Sequence, residues 1–227
     1  MKNKNVYLLT AFSLLACILH AVMLHTPFNA YAYTSAFKVF IFILCPIVYF
    51  KVSQEGKLKD VFLLFSVEDR KKLRLPLLLG VGVFTLIVVT FTILLPFIDR
   101  AAVVDALAEN GITPRNAFFV FLYIVVINAA LEQFFFRGFV FMTLHRMNFK
   151  GYAQAYSAVL FSFYHIPILY NAVTPGILIL CTVGLVVAGL IFNALTLKCN
   201  SISGALIVHI SANLALNLMI GVHFVFA

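Results

Sequence analysis

Residues 116–144 read NAFFVFLYIVVINAALEQFFFRGFVFMTL, and this stretch decides the fold class. It is longer than the roughly 20 apolar residues that a helix needs to cross a bilayer. Only Glu132 and Arg137 carry charge within it. An ionisable side chain at bilayer depth costs about 2.5–3.5 kcal/mol even on lenient insertion scales, so it is rarely present without a use. The stretch therefore predicts a membrane-spanning helix with a functional carboxylate, and a structural pair of Glu132 with Arg137 is the alternative.

The composition of the whole chain also indicates a membrane protein. Of its 227 residues, 63% are hydrophobic and 11% are charged, and the mean hydropathy is +1.07. Soluble domains average about 45–50% apolar and about 25% charged residues, so this composition excludes a water-soluble domain. The four cysteines lie in or beside apolar stretches at spacings that match no metal motif. We therefore expect them to pack rather than to form a disulfide framework.

Seven apolar stretches approach the length of a membrane span, and Glu132 is the only acidic residue in any of them. They cover residues 6–25, 35–50, 75–97, 116–144, 152–170, 175–197 and 202–226, and the second is short. The pattern predicts an all-α, polytopic membrane helix bundle with about seven transmembrane helices. We divide this single membrane-embedded domain into residues 1–115, with N-terminal helices and a basic loop, and residues 116–227, with the candidate catalytic helices.

The cationic residues predict the orientation of the bundle. Most of them precede the first stretch or follow the second, fourth and sixth, and only Arg100 and Arg115 lie in connections on the opposite side. Because cytoplasmic loops carry the excess of Lys and Arg, we expect a cytoplasmic N-terminus. The net charge of +8 thus reflects topology, and we expect no nucleic-acid partner. The first stretch also resembles a signal peptide that ends at Ala30-Tyr31-Ala32, but its apolar core is long, so we expect an uncleaved span.

Four polar residues at depth are the candidate site: Glu132, His165, His209 and Asn213. His209 and Asn213 are four residues apart, which places them one turn apart on the same face of a helix. Inside lipid such polar groups must turn towards one another or towards a wet cavity. The sequence therefore predicts that three helices present them to a shared interior.

This set of side chains suits hydrolysis by an activated water molecule. A carboxylate in an apolar site is a stronger base and can take a proton from water, and a neighbouring histidine can orient that water. A second histidine and an asparagine amide can donate hydrogen bonds to a developing oxyanion. Glu132, His165 and His209 would also suit a catalytic zinc ion with water as its fourth ligand, so zinc and the absence of a cofactor both stay open.

Three short motifs carry a resemblance to a known family. They occur in one order inside predicted spans: Glu132-Gln133-x-x-x-Arg137, Phe161-Ser-Phe-Tyr-His165 and His209-Ile-Ser-Ala-Asn213. Over roughly residues 116 to 217 the chain resembles the CAAX-protease and bacteriocin-processing (CPBP, Abi-type) family of intramembrane proteases. That family has Glu-Glu-x-x-x-Arg, Phe-x-x-x-His and His-x-x-x-Asn at these places, with a small residue in place of the Asn in some members.

The resemblance implies a role for each matching residue. Glu132 and His165 would activate water, and His209 and Asn213 would stabilise the oxyanion. The supporting residues would be Gln133, Arg137 and Phe161, with Arg137 holding a loop or the carboxylate in place. An arginine that reaches the interface from a helix end is the alternative for Arg137.

One departure from the family pattern bears on activity. The second glutamate of the family pair is Gln133 here, and an amide keeps hydrogen-bonding ability but cannot ionise. The glutamate that the resemblance assigns to water activation is retained as Glu132. We therefore favour an active enzyme over a catalytically silent relative.

The sequence predicts an intramembrane endopeptidase that cleaves a membrane-associated or lipidated peptide or protein substrate. The alternative is a silent relative that binds a membrane peptide as an immunity or scaffold protein. A proton-coupled transporter and a haem protein with His165 and His209 as ligands are further alternatives. For localisation we expect an integral protein in the lipid bilayer of a bacterial plasma membrane.

Overall fold

The computed structural model describes residues 2–27, 30–54, 56–66, 69–170 and 173–226. Within these residues the chain is helical and has no strand. We number its helices in chain order: α1 Lys2–Leu24, α2 Tyr31–Ser53, α3 Leu58–Phe62, α4 Arg74–Leu94, α5 Arg100–Glu109, α6 Ala117–Arg146, α7 Lys150–Leu169, α8 Pro175–Cys199 and α9 Ser203–Val225. The expected all-α polytopic helix bundle is confirmed.

Six helices of the described chain are long and apolar enough to cross a membrane, which is one fewer than the seven stretches. The difference is α7, which forms over the fifth stretch but is not one of the six. Polar side chains lower its hydropathy and bond to neighbouring helices. Ser157 donates to the carbonyl oxygen of Phe136 at 2.9 Å, and Ser162 donates to that of Thr182 at 2.7 Å.

The expectation that the second span is short is wrong. Helix α2 has 23 residues, enough to cross a bilayer, because it begins at Tyr31 and extends past the predicted end. The added N-terminal turn includes Thr34, which is 5% exposed and donates to backbone carbonyls of its own helix. Polar residues that bond internally can thus begin an apolar span.

Helix α6 lies at the centre of the bundle, where it packs against most of the other helices, and it carries a continuous run of buried residues. Its residues 133–142 are all buried, and Phe135 stacks on Phe42 of α2 with ring centroids 4.0 Å apart. Wider π-helical turns form at Tyr123–Asn128 and Gln133–Phe141, on either side of Glu132. Such turns rotate the side chains that follow them and are frequent at functional sites.

The helices around α6 pack in pairs, with α1 along α2, α7 along α8, and α4 along α9. Glycine allows two of these pairs to approach closely. A Cβ atom at Gly189 of α8 would lie 2.8 Å from the Cα atom of Ala158 in α7, and one at Gly80 of α4 would lie 2.7 Å from the hydroxyl of Ser211 in α9. Small residues at such crossings are a common device of helix packing in membranes.

The basic connection after α2 does more than join two spans. Val61 and Leu64 within it are buried in the hydrophobic core. The carbonyl oxygen of Leu64 accepts hydrogen bonds from the backbone of Ile202 and from the hydroxyl of Ser201. These bonds tie the connection to the start of α9, the helix that carries two candidate site residues.

Candidate functional site

Glu132 lies between the two π-helical turns of α6 and is 2% exposed. Its two carboxylate oxygens have different neighbours. Oε1 accepts hydrogen bonds from polar side chains of three helices. Oε2 has no hydrogen-bond partner among the described residues and faces two histidines. The carboxylate therefore has one oxygen that is held and one that is available.

The held oxygen belongs to a network around Lys38 of α2. Oε1 lies 3.0 Å from the amide nitrogen of Asn128, 3.3 Å from the hydroxyl of Tyr164 and 3.4 Å from Nζ of Lys38. Lys38 also donates to the amide oxygen of Asn128 and, at 3.0 Å, to the hydroxyl of Tyr164. The counter-ion of Glu132 is thus Lys38, which is 6% exposed.

The available oxygen faces His165 of α7 and His209 of α9. Nε2 of His209 lies 3.6 Å from Oε2, and Nε2 of His165 lies 3.8 Å from it. Both separations exceed hydrogen-bond length, so Oε2 and the two Nε2 atoms face one another without direct hydrogen bonds. The structure therefore brings together three of the four residues that the sequence placed in the site.

A hydrogen bond to the backbone determines the proton position on His165. Its Nδ1 lies 2.7 Å from the carbonyl oxygen of Phe161. Because a carbonyl oxygen only accepts, Nδ1 carries the proton, and Nε2 of the neutral ring is an acceptor that faces Glu132. Phe161 also packs edge to face against this ring, with centroids 4.6 Å apart. Phe161 thereby orients His165 through both its backbone and its side chain.

Gln133 orients the other histidine. Its amide nitrogen lies 3.0 Å from Nδ1 of His209, and this pair is buried. With the amide in this orientation Nδ1 accepts, so the proton of the neutral ring lies on Nε2, the atom that faces Glu132. His209 is then a donor towards the site, whereas His165 is an acceptor.

Arg137 is fully buried and does not pair with Glu132. Its three guanidinium nitrogens have no hydrogen-bond partner among the described residues. Its guanidinium carbon lies 4.1 Å from the ring centroid of Phe161 and 4.8 Å from that of Phe192. The expected role in holding the carboxylate is therefore wrong, and so are the two alternatives, a structural pair with Glu132 and a position at the interface. The guanidinium instead lies between aromatic rings, whose faces attract cations.

Asn213 is the sequence-predicted site residue that the structure directs elsewhere. Its amide nitrogen donates to the carbonyl oxygen of Ile124 at 3.1 Å, across the crossing of α9 with α6. Ile124 lies in the first π-helical turn of α6, where the wider turn changes the backbone hydrogen bonding. One turn from His209 on the same helix, Asn213 is near the site but bonds to the scaffold.

The residues as arranged do not form a metal centre. Glu132 and two histidines are suitable zinc ligands by type. Among the residues that the structure describes, however, no three His, Cys, Asp or Glu side chains are grouped so as to hold a metal ion. With the Gln133 amide in the orientation described above, Nε2 of a neutral His209 carries the proton, and it would have to lose that proton to bind zinc. We therefore derive no catalytic step through a metal.

The sequence analysis did not include the three hydrogen-bond donors to Oε1 of Glu132 among the site residues. They are Lys38, Asn128 and Tyr164. Lys38 lies inside an apolar stretch, so the argument that singled out Glu132 applies equally to it. Asn128 lies one turn before Glu132, a spacing that also pointed towards the site. Tyr164 directly precedes His165 and carries no signal of its own, because tyrosines are ordinary core residues.

Comparison with known proteins indicates the kind of function. Residues 114–215 match a protein family described as type II CAAX prenyl endopeptidase Rce1-like. The match confirms the resemblance found in the motifs, and it supports a CAAX-type intramembrane protease kind of function. A comparison with curated proteins finds no match, and a comparison with solved structures finds none. The matched segment contains Glu132, His165 and His209 but not Lys38.

Proposed function

We propose that this protein is an intramembrane endopeptidase that hydrolyses a peptide bond of a membrane-associated or lipidated peptide or protein. The observation that carries the proposal is the free carboxylate oxygen of Glu132, faced by the Nε2 atoms of His165 and His209 at 3.8 and 3.6 Å. Two acceptors and one donor point towards one place there. That is the arrangement needed to activate water and to receive the charge that then develops.

Water activation follows from the two acceptors. Oε2 of Glu132 and Nε2 of His165 both accept hydrogen bonds, and a water molecule can donate one hydrogen to each. Glu132 takes the proton as the water oxygen attacks the carbonyl carbon of the substrate. The electron pair of the carbonyl bond moves to its oxygen, and the proton then passes to the leaving amine when the carbon–nitrogen bond breaks.

The oxyanion is stabilised by a hydrogen-bond donor. His209 directs Nε2–H towards the site, so it can donate to the carbonyl oxygen as negative charge develops. Asn213 would join as a second donor if it exchanged its bond to Ile124.

The position of the site suggests the class of substrate. Glu132 and His209 are buried and His165 is 18% exposed, inside a bundle whose outer helix faces are apolar, and Glu132 is at the middle of a 30-residue span. A peptide bond can reach such a place only from a segment that already lies in the membrane. We propose a cytoplasmic N-terminus, since the basic connections would then face the cytoplasm.

The proposal is tested by a cleavage assay on co-expressed candidate membrane peptides. Glu132→Gln keeps the shape of the side chain but removes the base, so cleavage should fall below detection. Ser162→Ala is the matched control, because this serine is also buried in a polar contact but bonds only to Thr182. Normal cleavage by Glu132→Gln would overturn the assignment.

A silent peptide-binding relative is the second candidate, and Gln133 is the observation that favours it. A glutamate at this position would accept a hydrogen bond from Nδ1–H of His209, whereas the amide of Gln133 donates one to Nδ1. If activity requires His209 to present a free Nε2 lone pair, the protein binds membrane peptides without cleaving them. Peptide capture by a wild type that shows no cleavage would support this candidate.

A further inference from the structure

Lys38 is a buried cation outside the segment that matches the protease family. It lies in the first half of α2 and is 6% exposed. Its ammonium group donates to Asn128 and lies within hydrogen-bond distance of Tyr164 and Glu132, on two other helices. An ammonium at this depth is costly unless it is paired, so its position is determined by the groups that it contacts.

We propose that Lys38 is a positioning residue of the catalytic site, which holds Glu132 through Oε1 and leaves Oε2 as the oxygen that activates water. The inference rests on the proposed hydrolysis. Lys38 contacts Oε1, whereas the two histidines face Oε2. It therefore acts through Glu132 and does not touch the substrate.

The donor-only chemistry of the ammonium determines how the other two partners are oriented. Since Lys38 can only donate, the atom of Asn128 that faces it must be the amide oxygen, and the amide nitrogen is then directed to Oε1 of Glu132 at 3.0 Å. The hydroxyl oxygen of Tyr164 likewise accepts from Lys38, so its hydrogen is directed to Oε1 at 3.3 Å. One cation thus aligns all the hydrogen bonds of the held oxygen.

This alignment matters because a general base must present a lone pair in a defined direction. Without Lys38 the amide of Asn128 can turn over, and the hydroxyl of Tyr164 can rotate away. The carboxylate is then free to rotate, and the separation into a held oxygen and an available one is lost. Loss of a partner that orients a reactive ligand commonly lowers activity by about 10–100-fold.

The test compares Lys38→Met with Thr34→Val in a membrane cleavage assay with a substrate that the wild type cleaves. Thr34 lies one turn before Lys38, is equally buried, and bonds only to backbone carbonyls of its own helix. Lys38→Met should lower kcat by about 10–100-fold and change KM by less than about threefold, while Thr34→Val should resemble the wild type. Lys38→Arg keeps the charge and the donors, so it should recover part of the kcat.

Several outcomes would overturn the inference. They are a wild-type kcat in Lys38→Met, an effect confined to KM, and equal kcat values in the Met and Arg variants. If Lys38→Met does not accumulate in the membrane, Tyr164→Phe and Asn128→Leu remove the other donors to Oε1, and each should lower kcat at constant KM. Unchanged kcat in both would also reject the role. A wild type that cleaves no substrate contradicts the proposed function itself, whereas cleavage by wild type and Lys38→Met alike contradicts only the inference.

Discussion

Glu132 and Arg137 lie on the same helix and are both shielded from solvent, yet their nearest neighbours differ in kind. Glu132 is surrounded by polar groups from α2, α6, α7 and α9. Arg137 lies against the rings of Phe161 and Phe192, and no described residue accepts a hydrogen bond from it. The difference shows that two opposite charges close together in a motif need not pair, because helix geometry and wider turns determine which neighbours each one meets.

The largest effect should follow from removing the groups around the available oxygen. Glu132→Ala, His165→Ala and His209→Ala should each reduce cleavage by about 10³–10⁴-fold or more, since each removes the base or a group that acts with it. The amount of inserted protein should be measured together with cleavage. If all three variants fail to accumulate while Ser162→Ala accumulates normally, the three residues have a structural role. Glu132 would then be a structural buried charge, as Arg137 is, and only the neighbours of the two residues would differ.

The next largest effect should be a loss of protein stability when one partner of the buried ion pair is removed. Glu132→Ala leaves Lys38 buried without its counter-ion, which typically costs about 3–5 kcal/mol. Thermal unfolding in detergent should therefore show a clear loss for Glu132→Ala and a partial recovery in the double variant with Lys38→Met. A double variant as unstable as Glu132→Ala would show that the ion pair is not the origin of the loss.

Asn213 should contribute less than the residues that face Oε2. If it donates to the oxyanion, Asn213→Ala should lower kcat by about 10²–10³-fold, as expected for one lost donor. If its bond to the carbonyl oxygen of Ile124 is its whole role, the variant should lose stability and keep its kcat per folded molecule. Measuring kcat and thermal stability on the same preparations separates these outcomes.

Removing the charge of Arg137 should destabilise the protein less than removing the charge of Glu132. Arg137→Met removes a cation that has no hydrogen-bond acceptor among the described residues and keeps an apolar side chain between the rings. Replacement of a buried charge by a well-packed apolar group is often neutral, so the free energy of unfolding should change by about 1 kcal/mol or less. A loss as large as that of Glu132→Ala would mean that Arg137 has a polar partner essential to the fold.

The smallest effect is expected at Gln133. Gln133→Glu should change kcat by less than about tenfold, because the residue orients His209 by hydrogen bonding. Any change should be a decrease, since a carboxylate at this position would accept a hydrogen bond from Nδ1–H of His209, and Nε2 would then be an acceptor and no longer a donor. Gain of cleavage in Gln133→Glu from a silent wild type would instead place the protein among peptide-binding relatives.

Part of the candidate site was predictable because its ionisable residues interrupt stretches of sequence that are otherwise apolar. Glu132, His165 and His209 are ionisable groups in apolar stretches, and the membrane imposes a cost on each that only shared contacts can offset. Lys38 breaks the pattern in the same way, but its partner was not predictable, because Arg137 is much closer to Glu132 in the chain. The role of Tyr164 could not be predicted either, since tyrosine is common in apolar cores.

By itself, the sequence determined that this protein is an all-α membrane bundle with a carboxylate and two histidines at depth. Hydropathy and spacing are local properties, and the lack of water in lipid leaves helices as the available structure for such stretches. The tertiary structure alone decided that Lys38 is the counter-ion of Glu132, that Arg137 lies between aromatic rings, and that Asn213 bonds to Ile124. These pairings depend on the rotation of each helix about its axis, which side-chain packing and the π-helical turns of α6 set together.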